Sequence, residues 1–376
     1  MSGEAFPCGK TAIVSTSTYG MGEAHGFAPA DLAVHAGLAA LAKVGLKPSD
    51  VDGLFGALSD DALSGLNLSE YLGIRPRITE NTRTGGSSFE IHAGMAALEA
   101  GLCDVALILY GSNRRTATGK LSSLMRASIY ESAYKPPMPV AAYTLAAARH
   151  MHEYGTTREQ LGAVAVAARQ WALLNPDAVM REPLSLEQYF AARIVATPLG
   201  VRDCCLVTDG AAVVMTRAER AKALTPRPAY VLGAAAEISH REIANMPDLT
   251  VTAAVAAGQR AYTQAGYRPK DIGVVQIYDA FTINVILFLE DLGFCAKGEG
   301  GRIAPGGELA VNTNGGGLSC VHPGMCGLFT LAEAAGQGMG QCGARQQGEI
   351  NLALAHGNGG VLSSQAVVIL GSEAAL

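Results

Sequence analysis

Two stretches of this chain carry the same structural instructions. Ala40–Phe55 reads ALAKVGLKPSDVDGLF and Ala261–Gln276 reads AYTQAGYRPKDIGVVQ. In each, a helical run stops at a glycine, a basic residue and a proline follow, and an aspartate leads into a strand. Glycine ends a helix because it takes the left-handed conformation without penalty, and proline keeps the helix from restarting. A second echo falls in the same order: Gly85-Gly86 with His92-Ala-Gly-Met95, against Gly315-Gly316 with His322-Pro-Gly-Met325. Duplication of one folding unit is the simplest account of both.

The unit is of the α/β type. Apolar strand-like runs (Thr11–Ser15, Val105–Tyr110, Ala211–Met215, Val274–Ile277, Asn351–Ala355, Ala366–Leu370) alternate with Ala/Leu-rich helical stretches such as Asp31–Val44, Phe89–Ala100 and Thr250–Ala265. That alternation predicts a sheet covered by helices on both faces. The 376 residues exceed the usual size of one domain, and 45 glycines suit close approach of helix to sheet. The expected division is an N-terminal half, 1–240, with an inserted loop region at about 113–149, and a C-terminal half, 241–376.

Bulk properties exclude several partners. A net charge of −5 gives no general attraction to phosphate backbones, so no nucleic-acid partner is expected. The N-terminus shows no basic-then-apolar leader, and the apolar runs are of strand length; a cytoplasmic protein without a membrane span is expected. The eight cysteines lack paired Cys-x-x-Cys spacing, so no metal site is expected and most read as small packed hydrophobes.

The insert at Asn113–Arg149 carries Arg114, Arg115, Lys120, Arg126 and Lys135 against Glu131. It reads either as a solvated surface excursion or as a wall facing the phosphates of an acidic cofactor tail, since Lys and Arg supply the donors such groups need.

Lys10–Gly22, Val51–Phe55, Gly85–Gly111, Asp203–Ala211, Gln276–Phe281, Asn312–Gly327 and His356–Gly371, in that order, resemble the thiolase superfamily over nearly the full length of the chain. The branch it is most similar to is the thiolase-like one related to sterol carrier protein x. The resemblance implies two similar α/β halves in a five-layer α-β-α-β-α arrangement, a homodimer, and chemistry on acyl-CoA. Coenzyme A then belongs to the substrate, with no separately bound cofactor.

Family thiolases acylate a cysteine at the start of a central helix, and a histidine in a Gly-His-Pro motif polarises the thioester. His322 matches that histidine, with Val321 in place of the preceding glycine. The alternative is a histidine satisfied within the core. The nucleophile position falls at Thr84, or at Ser87 if the loop is shifted by a turn, and neither is a thiol. A hydroxyl needs an adjacent base to act as a nucleophile, and Ser or Thr before a helix is also an ordinary cap. Cys320 is either a displaced thiol nucleophile or a packing residue.

Tyr278 stands where the family carries the first residue of Asn-Glu-Ala-Phe or His-Asp-x-Phe, which makes it a candidate acid or base; Asp279 beside it can cap the next helix. His356, in His-Gly-Asn-Gly-Gly, lies near the family's second catalytic region, where Gly357, Gly359 and Gly360 can offer backbone amides to an oxyanion. Arg114, Arg115 and Lys120 are the candidate CoA contacts.

A retained oxyanion histidine without the thiol points to carbon–carbon chemistry that needs no acyl-enzyme. The expectation is retro-aldol cleavage of a β-hydroxyacyl-CoA, as in the steroid side-chain aldolases this chain resembles, which act with a small OB-fold partner carrying a zinc ribbon. The alternatives are an acyltransferase, alone or with a partner subunit, and a non-catalytic lipid-carrying subunit.

Overall fold

A computed structural model describes residues 6–58, 61–81, 90–117, 129–207, 209–303 and 309–376. Among them, strands β1 (Thr11–Thr18), β2 (Gly53–Leu58), β3 (Ile78–Glu80) and β4 (Val105–Asn113) come first, and the short pair β5 (Ile194–Ala196) and β6 (Leu199–Gly200) follows. Then come β7 (Asp209–Arg217), β8 (Ala229–Ile238), β9 (Val274–Gln276), β10 (Ala310–Val311), β11 (Leu352–Gly359) and β12 (Ser364–Gly371). All but β5 and β6 join one hydrogen-bonded array, β10-β9-β11-β12-β8-β1-β7-β4-β2-β3.

The array is the same five-stranded unit twice. β2 is parallel to β3 and β4, and β7 is antiparallel to β4 and β1. In the second unit β9 is parallel to β10 and β11, and β12 is antiparallel to β11 and β8. The units meet where β1 pairs with β8 through Ala12↔Tyr230 and Ile13↔Ala229. β8 therefore belongs with the second unit, and the seam lies before residue 229, upstream of the expected boundary at 240.

The sequence echo becomes a matching local structure. Gly45 and Gly266 close their helices at φ +69 and +75. Pro48 and Pro269 then open single 3₁₀ turns, in which Asp50 accepts from the Lys47 amide (2.7 Å) and Asp271 from the Arg268 amide (2.9 Å).

Helix Pro29–Lys43 packs on β1, β4 and β7, and helix Ala254–Ala265 on β8 and β12. Helices Glu90–Glu99 and Gly327–Met339 each touch strands of both units, which places them between the sheets and completes the five layers. All residues of Gly327–Met339 except Gly338 are buried. Double coverage explains why β4 and β12 are unbroken apolar runs instead of alternating ones.

The inserted region departs from its loop reading. Residues 118–128, including Lys120, lie outside the described residues, but Val140–Tyr154 is a helix that buries Val140, Ala142, Tyr143, Ala146, Ala147 and His150. The prolines that suggested a loop end at Pro139, the residue that caps this helix. None of the described helices is long and apolar enough to cross a membrane.

Candidate active site

The turn that carries His322 is built from glycine. Gly315 and Gly316 take φ +101 and +58, and residues Gly316–Cys320 form a single π-helical turn. An added Cβ at Gly316 would strike the Asp279 carboxylate, so only glycine fits there. Asp279 does not cap the following helix, the role open to it in the sequence. Its Oδ1 accepts from the Gly317 amide (2.6 Å) and its Oδ2 from Leu318 (3.3 Å), which clamps the turn. Burial pushes the Asp279 carboxyl up to about 7, against the two amides that favour its charge.

The chain leaves this turn at His322 and passes directly beneath two phenols. Tyr110, from β4, donates to the Pro323 carbonyl (2.6 Å), and Tyr278 to that of Gly324 (3.4 Å). The Tyr278 and His322 rings are perpendicular at 89°, with centroids 5.3 Å apart. Both residues are 4% exposed. Burial pushes the His322 imidazole down to about 4 and the Tyr278 phenol well up, so at neutral pH the pair is an uncharged imidazole and an uncharged phenol. Tyr110, Tyr143, Cys205 and Cys326 surround the Tyr278 phenol closely enough that each, if ionised, would raise it further.

His356 occupies a different position. It lies on β11 with no exposed surface, its ring 4.2 Å from that of Phe288 and its Nε2 2.9 Å from Gln365 Oε1. Burial holds its imidazole down to about 3. Gly357 and Gly359 are ladder residues of β11 opposite Ala366 and Ser364, while Gly360 follows at φ +63. The Gly360 carbonyl is 3.5 Å from the Tyr143 hydroxyl. Tyr143 thus links the region of His356 to that of Tyr278.

Thr84 and Ser87 lie outside the described residues. Cys320 is 1% exposed, its Sγ accepts from Asn175 Nδ2 (3.3 Å), and burial raises its thiol, an environment that suppresses the thiolate. Cys326 beside Asp279 is raised in the same way. Arg115 is half exposed and pairs with Glu23 (2.9 Å), and Arg114 starts a short helical turn directly after β4. The sequence reading missed Tyr110, Tyr143 and the clamp by Asp279. Only Asp279, next to Tyr278, carried a local signal.

A family model described as thiolase C-terminal domain-like matches residues 235–372. The chain is 33% identical to a steroid side-chain-cleaving aldolase of Thermomonospora curvata, over 97% of this chain and 98% of that one. It belongs to the thiolase superfamily. An acetyl-CoA acetyltransferase of Methanothermobacter thermautotrophicus is 31% identical over 95% of this chain and 98% of its own. Among solved structures, an Ltp2-ChsH2(DUF35) aldolase superposes with a TM-score of 0.87 at 31% identity, covering 98% of this chain and 99% of that one. The fold class expected from the resemblance, duplicated thiolase-like halves, is the one found.

Proposed function

We propose that this thiolase-superfamily enzyme cleaves the Cα–Cβ bond of a β-hydroxyacyl-CoA by a retro-aldol reaction, with a steroid side-chain thioester as the substrate class. The observation that carries this reading is the buried, uncharged Tyr278–His322 pair, with the thiols of Cys205, Cys320 and Cys326 held protonated. The aldolases among its relatives support the substrate class.

In the proposed reaction His322, as a neutral imidazole, donates an N–H to the thioester oxygen where enolate charge collects. The Tyr278 hydroxyl accepts the β-hydroxyl proton as its own proton passes to the α-carbon. The electron pair of the Cα–Cβ bond moves into the enolate and then into the new C–H bond. The products are a ketone and a shortened acyl-CoA, and no phenolate or acyl-enzyme accumulates.

His356 acts in this scheme through Gln365, Asn358 and Tyr143. Arg114, Arg115 and Lys120 hold the CoA phosphates. The reading includes a homodimer and a small OB-fold, zinc-ribbon partner, in line with the paired Ltp2-ChsH2(DUF35) assembly.

The second reading is thiolase-type acyl transfer, favoured by the acetyltransferase relative. Incubating the assembled enzyme with a steroid whose side-chain CoA thioester bears a hydroxyl on the β ring carbon separates the two. Ketone and acyl-CoA in equal amounts, with an unmodified chain by intact mass, support the aldolase. A stable acyl adduct on Thr84, Ser87 or Cys320 would replace it with the transferase.

A further inference from the structure

Tyr278 and His322 both belong to the second unit of the fold, yet a side chain that holds the backbone beyond His322 comes from the first. Tyr110 lies on β4, paired with Ala57 of β2 on one side and Ala211 of β7 on the other, and has no exposed surface. At the next residue the strand is packed so closely that a Cβ added to Gly111 would meet the Pro29 carbonyl at 1.9 Å. The phenol therefore stands on a fixed support.

The backbone it meets cannot hold itself as a helix. From Val321 to Cys326 the chain is neither helix nor strand, Pro323 has no N–H, and Gly324 stands at φ +96. Gly324 is exposed while His322 and Pro323 are buried, so this turn is the boundary between the site and solvent. The Tyr110 hydroxyl donates to the Pro323 carbonyl at 2.6 Å, and its oxygen lies within hydrogen-bonding reach of the Met325 amide. One side chain thus spans the turn, as donor to the residue after His322 and as acceptor from the third residue beyond it. Burial pushes the phenol well up, so it keeps the hydrogen that makes the first of these bonds.

The two phenols above this turn have different tasks. A phenol-to-carbonyl bond of 2.6 Å is at full strength, whereas the 3.4 Å from the Tyr278 hydroxyl to the Gly324 carbonyl lies beyond the usual range for such a bond. Tyr110 has committed its hydrogen to the backbone. That of Tyr278 is held loosely enough to be transferred.

We propose that Tyr110 is a positioning residue for His322: by pinning Pro323 and Met325 to β4 it fixes the direction of the imidazole and closes the turn against water. Tyr110 touches no reacting atom in this assignment. It acts from the first unit on the second, through a hydrogen bond between residues 213 apart. Its consequence for turnover rests on the retro-aldol reading, in which His322 serves the thioester oxygen, but the pin itself does not.

The test is Tyr110→Phe, alone and combined with His322→Ala, in the assembled enzyme. Alone it is expected to lower kcat about tenfold to hundredfold, the effect of a small misplacement of an oxyanion donor, with KM within about twofold of wild type. In the His322→Ala background the same change is expected to cost no more than about twofold, because a residue that acts through His322 has nothing left to position. Equal losses in both backgrounds would overturn the assignment, since a proton carrier or a general scaffold residue adds its effect to any other.

The second measurement needs no turnover. The His322 imidazole, held down to about 4 by burial, is expected to titrate closer to the ordinary histidine range in Tyr110→Phe, followed by NMR with His322→Ala to assign its signal. An unmoved His322 titration in a folded Tyr110→Phe protein would overturn the pin. Should the variant not fold, amide hydrogen exchange in wild type decides: Met325 exchanging as slowly as β4 supports the pin, and exchange as fast as an open loop overturns it. A wild type that meets these titration and exchange results but cleaves no thioester would overturn the reaction and leave the pin in place.

Discussion

The hydroxyl of Tyr278 donates to the backbone two residues beyond His322 while the two rings stand perpendicular, 5.3 Å between centroids. A strand-end residue and a turn residue are thereby held as one unit. Tyr278→Phe keeps the ring contact and removes the proposed proton carrier, so kcat is expected to fall about 10²–10⁴-fold with an unchanged circular dichroism spectrum. His322→Ala is expected to cost about 10²–10³ in kcat, and His322→Gln, which keeps an N–H donor, to retain more activity. Activity kept in both Tyr278→Phe and His322→Ala would move the active site elsewhere.

The pH dependence of kcat reports on His322 from the acid side. With its imidazole held down to about 4, His322, the proposed donor, stays neutral throughout the neutral range and becomes an imidazolium only in acid. An acid limb near pH 4 is expected in wild type and is expected to be absent in His322→Gln. A His322-dependent limb near the ordinary histidine value would mean that the site is far wetter than its burial implies.

Asp279 should show itself in stability. Burial lifts its folded pKa to about 7, above the ordinary carboxylate range, so the stability it contributes is full in acid and is lost as pH rises through about 7. Asp279→Asn cannot titrate. Its melting temperature relative to wild type is expected to increase between about pH 4 and 7 and to level off above. A constant difference across that window would show that the carboxyl is not buried as described.

Gly317 tests how tightly the turn is fitted. An added Cβ would stand 2.9 Å from His322 Cδ2 and 3.0 Å from the Asp279 carbonyl, so one of them must move. Gly317→Ala is expected to cost about 1–3 kcal/mol in chemical denaturation and to lower kcat more than it raises KM. Wild-type kcat in this variant would mean that the His322 position is not critical.

What the sequence determined by itself is the repeated local grammar. Gly45-x-Lys-Pro and Gly266-x-Arg-Pro could be read because helix stops and proline starts are set by backbone conformation within a few residues, and the strand runs could be read because double burial demands unbroken apolar stretches. The Gly315–Gly317 run and His322 were visible for the same reason. The helix Val140–Tyr154 was not, because the prolines before it carry the same local signal whether a loop continues or a helix begins. Packing of distant segments alone makes Asp279 clamp a turn 38 residues away, turns His356 to Gln365, and brings Tyr143 near Tyr278. Those relationships are contacts between distant segments, fixed by how two sheets and their shared helices pack, and no short-range pattern encodes them.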